Sequence, residues 1–283
     1  MTFSIVATDG TAWGVAVASK FLAVGAAVPA AAAGVGAIAT QSHANLAYRP
    51  DGLRMLRDGR SAQDTLDALT AADELRAQRQ AGFVDARGGA ATYTGADCHD
   101  WAGGVAGAVD GCGYAIQGNI HTGPDVVEAM RRAWLATDSA APLVRRLLLA
   151  LAAGDEVGGD KRGRQSAAVL VVTPGGGYGG GNDVLVDLRV DDHLRPIPEL
   201  VRLADLHDIY FGKPDPADAI RLEGAVAAEV RDRLARIGHP AAGTTSADLD
   251  KALADWAAVE NYEERMLPGH IDAPVLDQLR LNS

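Results

Sequence analysis

The chain has 283 residues, 48% of them hydrophobic and 22% charged, which excludes a disordered or fibrous protein. A formal net charge of −11 argues against a nucleic-acid partner, because phosphate contacts need clustered Lys and Arg. Cys98 and Cys112 fit neither a zinc spacing nor a CxxC pair, so two reduced cysteines in a cytoplasmic protein are expected.

The chain opens MTFSIVATDG, without the basic region of a secretion signal. Thr2–Thr8 reads as a strand, with Phe3, Ile5 and Ala7 alternating against Thr2, Ser4 and Thr8. Asp9-Gly10 is a hairpin signal, and residues 13–18 form the return strand, ending at Ser19-Lys20. Residues 21–40 carry no charge and are long enough to span a bilayer. Gly25, Pro29, Gly34 and Gly36 interrupt them, so two buried strands bending at Pro29 are predicted instead. One of these covers residues 35–41.

The period then changes to helical over residues 50–56 and 61–71, with Ser61 as N-cap and Asp64 three residues on. Residues 81–85 and 90–94 pair as strands, and residues 114–117 form a strand ending at Gly118-Asn119. Pro124 and Pro142 open helices to about residues 135 and 153. Strands follow over residues 166–173 and 184–190, separated by a glycine-rich turn, PGGGYGGG. That turn lacks the Lys-Ser/Thr of a phosphate loop and leads into no helix. A helix over residues 196–209 and a turn to Pro216 precede helices at 218–237, 246–264 and 274–281. Strands, then helices, then strands describe an α+β layered protein spanning residues 1–210, with a helical C-terminal appendage over 211–283.

The candidate chemistry starts at Thr2. A threonine hydroxyl needs a base, and an N-terminal threonine carries one in its own α-amine. Removal of Met1 would expose it. The hairpin is expected to return Lys20 to the neighbourhood of Thr2, where an ammonium would steady developing negative charge.

The threonine-led strand, the turn and GVAVASK together resemble the opening hairpin of the proteasome β-subunit and its bacterial relatives. More closely, TFSIVATD, GVAVASKF, AVGAAVPAAAAGVGAIATQ, QGNIHTGPDVVEAM, GGDKRGRQSAAVLVV and VDLRVDDH resemble the family catalogued as domain of unknown function 1028. LHDIYFGKPDP and VENYEERM in the appendage also resemble that family. The resemblance implies an N-terminal-nucleophile (Ntn) hydrolase fold, a four-layer αββα sandwich with the threonine at one end of the sheets.

Several further polar residues are candidates. Asn119 offers an amide of the kind other Ntn hydrolases use as oxyanion donor. Gln41 and Asn45, after a strand, offer amides for a carbonyl or carboxamide. In GGDKRGRQS, Asp160, Arg162, Gln165 and Ser166 are candidates for the site, and Arg162 is able to fork onto a substrate carboxylate. Asp187 shares a strand face with Arg189 and Asp191, as an ion-pair ladder or as part of a site.

The expected activity is hydrolysis of a small-molecule amide without a cofactor. The expected partners exclude nucleic acid and membrane and include a second copy as a homodimer. Two alternatives are a non-catalytic ligand- or partner-binding domain of the same fold, and a metal-dependent hydrolase using Asp191, Asp192 and His193.

Overall fold

The computed structural model describes residues 2–283. The chain divides into two compact units, one through Leu203 and one from Ala204 to Ser283.

The N-terminal unit is built on two antiparallel sheets. The first contains β1 (Thr2–Thr8), β2 (Trp13–Ser19), β7 (Gly103–Val109), β8 (Cys112–Asn119), β9 (Ser166–Val172) and β10 (Val184–Val190), in the order β10-β9-β2-β1-β8-β7. The second contains β3 (Pro29–Ala32), β4 (Gly36–Ser42), β5 (Arg79–Asp85) and β6 (Ala90–Thr94), in chain order. All seven residues of β1 and all seven of β2 are buried, as strands covered on both faces must be. Val6, Val15, Val17, Val28, Ala39 and Val84 fill the space between the sheets.

Helices α2 (Tyr48–Arg57) and α3 (Ala62–Ala71) cover the outer face of the second sheet. Tyr48, Leu56 and Leu66 meet Ile38, Ala81 and Phe83 there. Ser61 caps α3 as predicted, accepting from the Asp64 backbone N–H. Helices α4 (Asp125–Ala136) and α5 (Leu143–Glu156) lie on the outer face of the first sheet. Helix α5 approaches closely: a Cβ on Gly14 would stand 2.7 Å from Leu147 Cδ1.

The apolar run over residues 21–40 differs from its prediction. It forms a one-turn helix, α1 (Val24–Ala27), before β3 and β4. Ser166 Oγ accepts from the Val24 N–H at 3.1 Å and donates to the Phe21 carbonyl, pinning this turn. Among the described residues no helix is long and apolar enough to cross a membrane.

Strand β7 was not predicted. Its small residues, GGVAGAV, show no alternation. The turn signal was present, however: Asp110 and Gly111 both have positive φ, +50° and +81°, the pair a tight hairpin requires. The β5–β6 turn packs against this hairpin. A Cβ on Gly88, whose φ is +79°, would lie 1.7 Å from the Gly111 carbonyl oxygen. Gly88→Ala is therefore expected to cost about 2–5 kcal/mol, from a left-handed alanine plus overpacking. Chemical denaturation of the variant measures it.

In the C-terminal unit, α7 (Gly224–Arg236), α8 (Ser246–Glu260) and α9 (Ala273–Asn282) enclose Leu234, Leu253, Trp256 and Leu276. A two-stranded pairing, β11 (Ile220–Arg221) with β12 (His270–Ile271), replaces the start of the helix predicted at residue 218. Thr245 and Asp248 form a reciprocal capping box on α8, and Asn261, at φ +62°, ends it four residues before the predicted 264. The division at Leu203 falls inside helix α6 (Pro196–Phe211), before the boundary expected at residue 210. Arg265 gives the reason: buried and paired with Asp272, it donates to the carbonyls of Asp208 and Ile209 and ties the end of α6 into the C-terminal core.

Candidate functional site

Thr2 begins β1, between β2 and β8, and the register sets it opposite Ser19 on one side and Asn119 on the other. Cross-strand partners share a face, so the three side chains point between the sheets. Thr2 Oγ1 lies 2.9 Å from Ser19 Oγ. Thr2, Ser19 and Asn119 are all buried, Thr2 being 9% exposed. Met1 lies outside the described residues, and with it the expected removal.

Next to Thr2 a seam of buried amides joins the sheets. Ser4 Oγ donates to Gln41 Oε1 at 2.7 Å and accepts from Gln117 Nε2 at 2.6 Å. Gln41 Nε2 donates to Gln80 Oε1 at 2.8 Å and, at 3.3 Å, to the Thr2 and Gln117 carbonyls. Asn119 Nδ2 donates to the same Gln80 oxygen at 2.9 Å. Gln80 Nε2 returns to the Gly118 carbonyl at 2.8 Å. Gly82 leaves room for this seam, since a Cβ there would meet Gln117 Oε1 at 2.1 Å. Buried polar groups need such partners, and a satisfied network holds one geometry.

The other sequence candidates are dispersed. Lys20 falls one position beyond the partner of Thr2, so Ser19 takes the place expected for it. Lys20 lies just past the end of β2, and its side chain is exposed, with Nζ 3.4 Å from the Arg164 carbonyl. Gln41 is close to Thr2, but its amide bonds inside the protein rather than facing a ligand.

Asn45 faces an opening of about 430 Å³ that it shares with Tyr48, Asp51, Asp73 and Glu74. Its Nδ2 donates to Asp73 Oδ2 at 3.0 Å. Asp73 is a hub that sequence reasoning missed. Arg79, first, and then Asn45 and Tyr48 hold its carboxyl below the usual carboxylate range, against its burial. Burial and the Asp73 carboxylate push the Tyr48 phenol up.

Asp160 is buried at the Thr2 end of the sheet. It accepts the Lys20 N–H at 2.8 Å and the Arg162 N–H at 2.8 Å. Arg162 pairs with it at 3.3 Å and is half exposed. The small cavity between Phe3, Ser19, Asp155 and Asp160 measures about 10 Å³, room for one water at most. Gln165 bonds to Asp192 at 3.1 Å, and His193 Nδ1 accepts the Arg195 N–H at 3.0 Å. Among the described residues no three acidic, His or Cys side chains are grouped to hold a metal.

Asp187 forks onto Arg189 at 2.9 and 3.0 Å on the edge strand β10. It lies three strands from β1 and in register with Val6 through Leu170 and Val15. That is the ion-pair alternative, away from Thr2.

His121 sits beneath Asn119 on the opposite face, wholly buried against Phe3 and Trp101. Nδ1 lies 3.0 Å from the Gly159 carbonyl, so the proton belongs on Nδ1. Nε2 has no partner among the described residues. Burial pushes the His121 pKa below its ordinary value, although the Gly159 bond and Asp160 oppose this. The folded state therefore prefers neutral imidazole. Its contribution to stability is full above the unfolded pKa of about 6.5 and falls as pH drops from there through the lower folded pKa. A His121→Asn variant is expected to show a smaller decline in melting temperature as pH falls below about 6.5, and thermal scans at decreasing pH check it.

Residues 2–200 match the family model described as "Family of unknown function (DUF1028)". Residues 210–279 match a second, described as "Putative peptidoglycan binding domain". No protein of curated function matches the chain significantly. Among solved structures, a Silicibacter pomeroyi protein of the first family is 31% identical, with a TM-score of 0.63, covering 81% of this chain and 92% of its own. Over more than half its length, and with a relative of that identity, the chain belongs to the DUF1028 family of unknown function.

Proposed function

We propose that the protein is an amide hydrolase of the Ntn type, with Thr2 as nucleophile once Met1 is removed. The observation that carries this reading is the start of β1, where the register flanks the Thr2 hydroxyl with Ser19 and Asn119. The order of layers, helices outside and two antiparallel sheets inside, supports the αββα sandwich. In the proposed reaction Thr2 Oγ1 attacks the amide carbon and the α-amine of Thr2 takes the hydroxyl proton. Ser19, 2.9 Å away, orients the hydroxyl. The oxyanion is held by Asn119, whose Nδ2 has a second hydrogen beyond the one given to Gln80. The C–N bond breaks and the leaving amine takes the proton. Water then hydrolyses the ester on Thr2, releasing the acid and restoring the hydroxyl.

The match of residues 210–279 to a putative peptidoglycan binding domain supports one substrate class. The peptide and amide bonds of peptidoglycan are accordingly the proposed substrate class for Thr2. Cytoplasmic placement, part of the same proposal, pairs the enzyme with soluble fragments of that polymer rather than the intact wall.

The test is incubation of the protein with muropeptides and N-acylated amino acids, followed by mass spectrometry. A new acid–amine pair supports the reading. Fragments that bind without being cleaved favour the non-catalytic alternative.

A further inference from the structure

A second opening lies at the other end of the sheet. Six residue steps along β1 separate Thr2 from Thr8, about 20 Å at strand rise. Beyond Thr8, an opening of about 230 Å³ is lined by Asp9, Val109, Asp110, Cys112, Ser139 and Arg146.

Arg146, on α5, is only 5% exposed. Its guanidinium lies 4.0 Å from the centre of the Trp134 ring, which covers one face. Its side chain makes no hydrogen bond or ion pair among the described residues, and Nε is sealed from solvent without an acceptor. A guanidinium carries five donors, and a sealed Nε–H without an acceptor is costly. Burial pulls the Arg146 pKa down, against the nearby charges of Asp9 and Asp138.

The rim is acidic. Asp9 uses Oδ1 for the Thr11 and Ala12 N–H groups. Its second oxygen is unengaged among the described residues, as is the carboxylate of Asp110 at the tip of the β7–β8 turn. A dianion such as phosphate would meet repulsion from these two. A group pairing one negative charge with a neighbouring positive one fits both.

We propose that this opening binds a small α-amino acid, with Arg146 forking onto its carboxylate and Asp9 and Asp110 facing its ammonium. The volume matches one such molecule. The site is separate from Thr2 and does not depend on the hydrolase reading.

Calorimetry on the full chain, with the twenty L-amino acids, acetate and inorganic phosphate as probes, tests it. At least one amino acid is expected to bind at millimolar concentration or better, at least tenfold tighter than acetate, with no phosphate binding. Arg146→Lys keeps the charge, loses the fork and is expected to weaken binding tenfold or more. Asp110→Asn, on an exposed turn, is expected to weaken it threefold or more.

A second readout needs no variant. The bound amino acid should slow iodoacetamide alkylation of the half-buried Cys112 while leaving that of the buried Cys98 unchanged. The proposal is overturned if no amino acid binds, if phosphate or acetate binds as tightly, or if Cys112 is unprotected and Asp110→Asn binds like the parent chain. Repeating the titration on Thr2→Ala is expected to give the same affinities, so a failed hydrolase reading leaves the result standing.

Discussion

Replacing Thr2 by alanine is expected to abolish amide hydrolysis while leaving the fold intact. The two effects separate because the hydroxyl has different weights in each. For stability it contributes one hydrogen bond, to Ser19, worth about 1 kcal/mol. The rest of β1 remains paired with β2 through Thr8 and with β8 through Ala7. For catalysis it is the atom that forms the ester. Loss of a nucleophile costs about a thousandfold or more in rate. Thr2→Ser keeps a hydroxyl and an α-amine, so it should retain measurable turnover. The comparison needs turnover of one substrate by all three proteins, with melting temperatures alongside. An alanine variant as active as the parent chain would remove Thr2 from the chemistry. An inactive variant that also melts much earlier would point to a structural effect instead.

The largest expected stability effect lies in the C-terminal unit. Trp256 is 1% exposed on α8, edge-on to Tyr262 with ring centres 5.6 Å apart. Leu234, Leu253, Val275 and Leu276 belong to the same core. Truncating a tryptophan in such a core costs about 3–5 kcal/mol, through lost burial and the cavity left behind. A unit of this size has only about 4–12 kcal/mol in total. Trp256→Ala is therefore expected to leave the helices α7, α8 and α9 marginal. Hydrogen exchange should show protection lost across these helices. Exchange unchanged there would mean that Trp256 is not a keystone of this core.

Much of the N-terminal unit was legible in the sequence because its signals are local. The Asp9-Gly10 turn, the alternation of β1 and β10 and the Ser61 cap each act within a few residues. Strand β7 was harder to read, since glycine and alanine show no face, and only the Asp110-Gly111 turn marked it. Two-residue strands such as β11 and β12 are set by tertiary pairing and leave no periodic trace.

The candidate site was legible only in part. The N-terminal threonine pointed to Thr2 and the resemblance to Asn119, and the register sets them opposite each other. Lys20 follows Ser19, the strand partner of Thr2, and its side chain is exposed with Nζ near the Arg164 carbonyl. Ser4, Ser19, Gln80 and Gln117 were missed because their roles depend on which strands face each other across the core. Arg146 was likewise unreadable: an arginine in LVRRLLLALAA looks like the polar side of an amphipathic helix. Its burial depends on Trp134, on another helix.

The most direct measurement is the intact mass of the full chain produced without an N-terminal tag. The account predicts the loss of one methionine, leaving Thr2 with a free amine beside its own hydroxyl. Retention of Met1 in every molecule would contradict it, because a blocked threonine has no α-amine to act as its base.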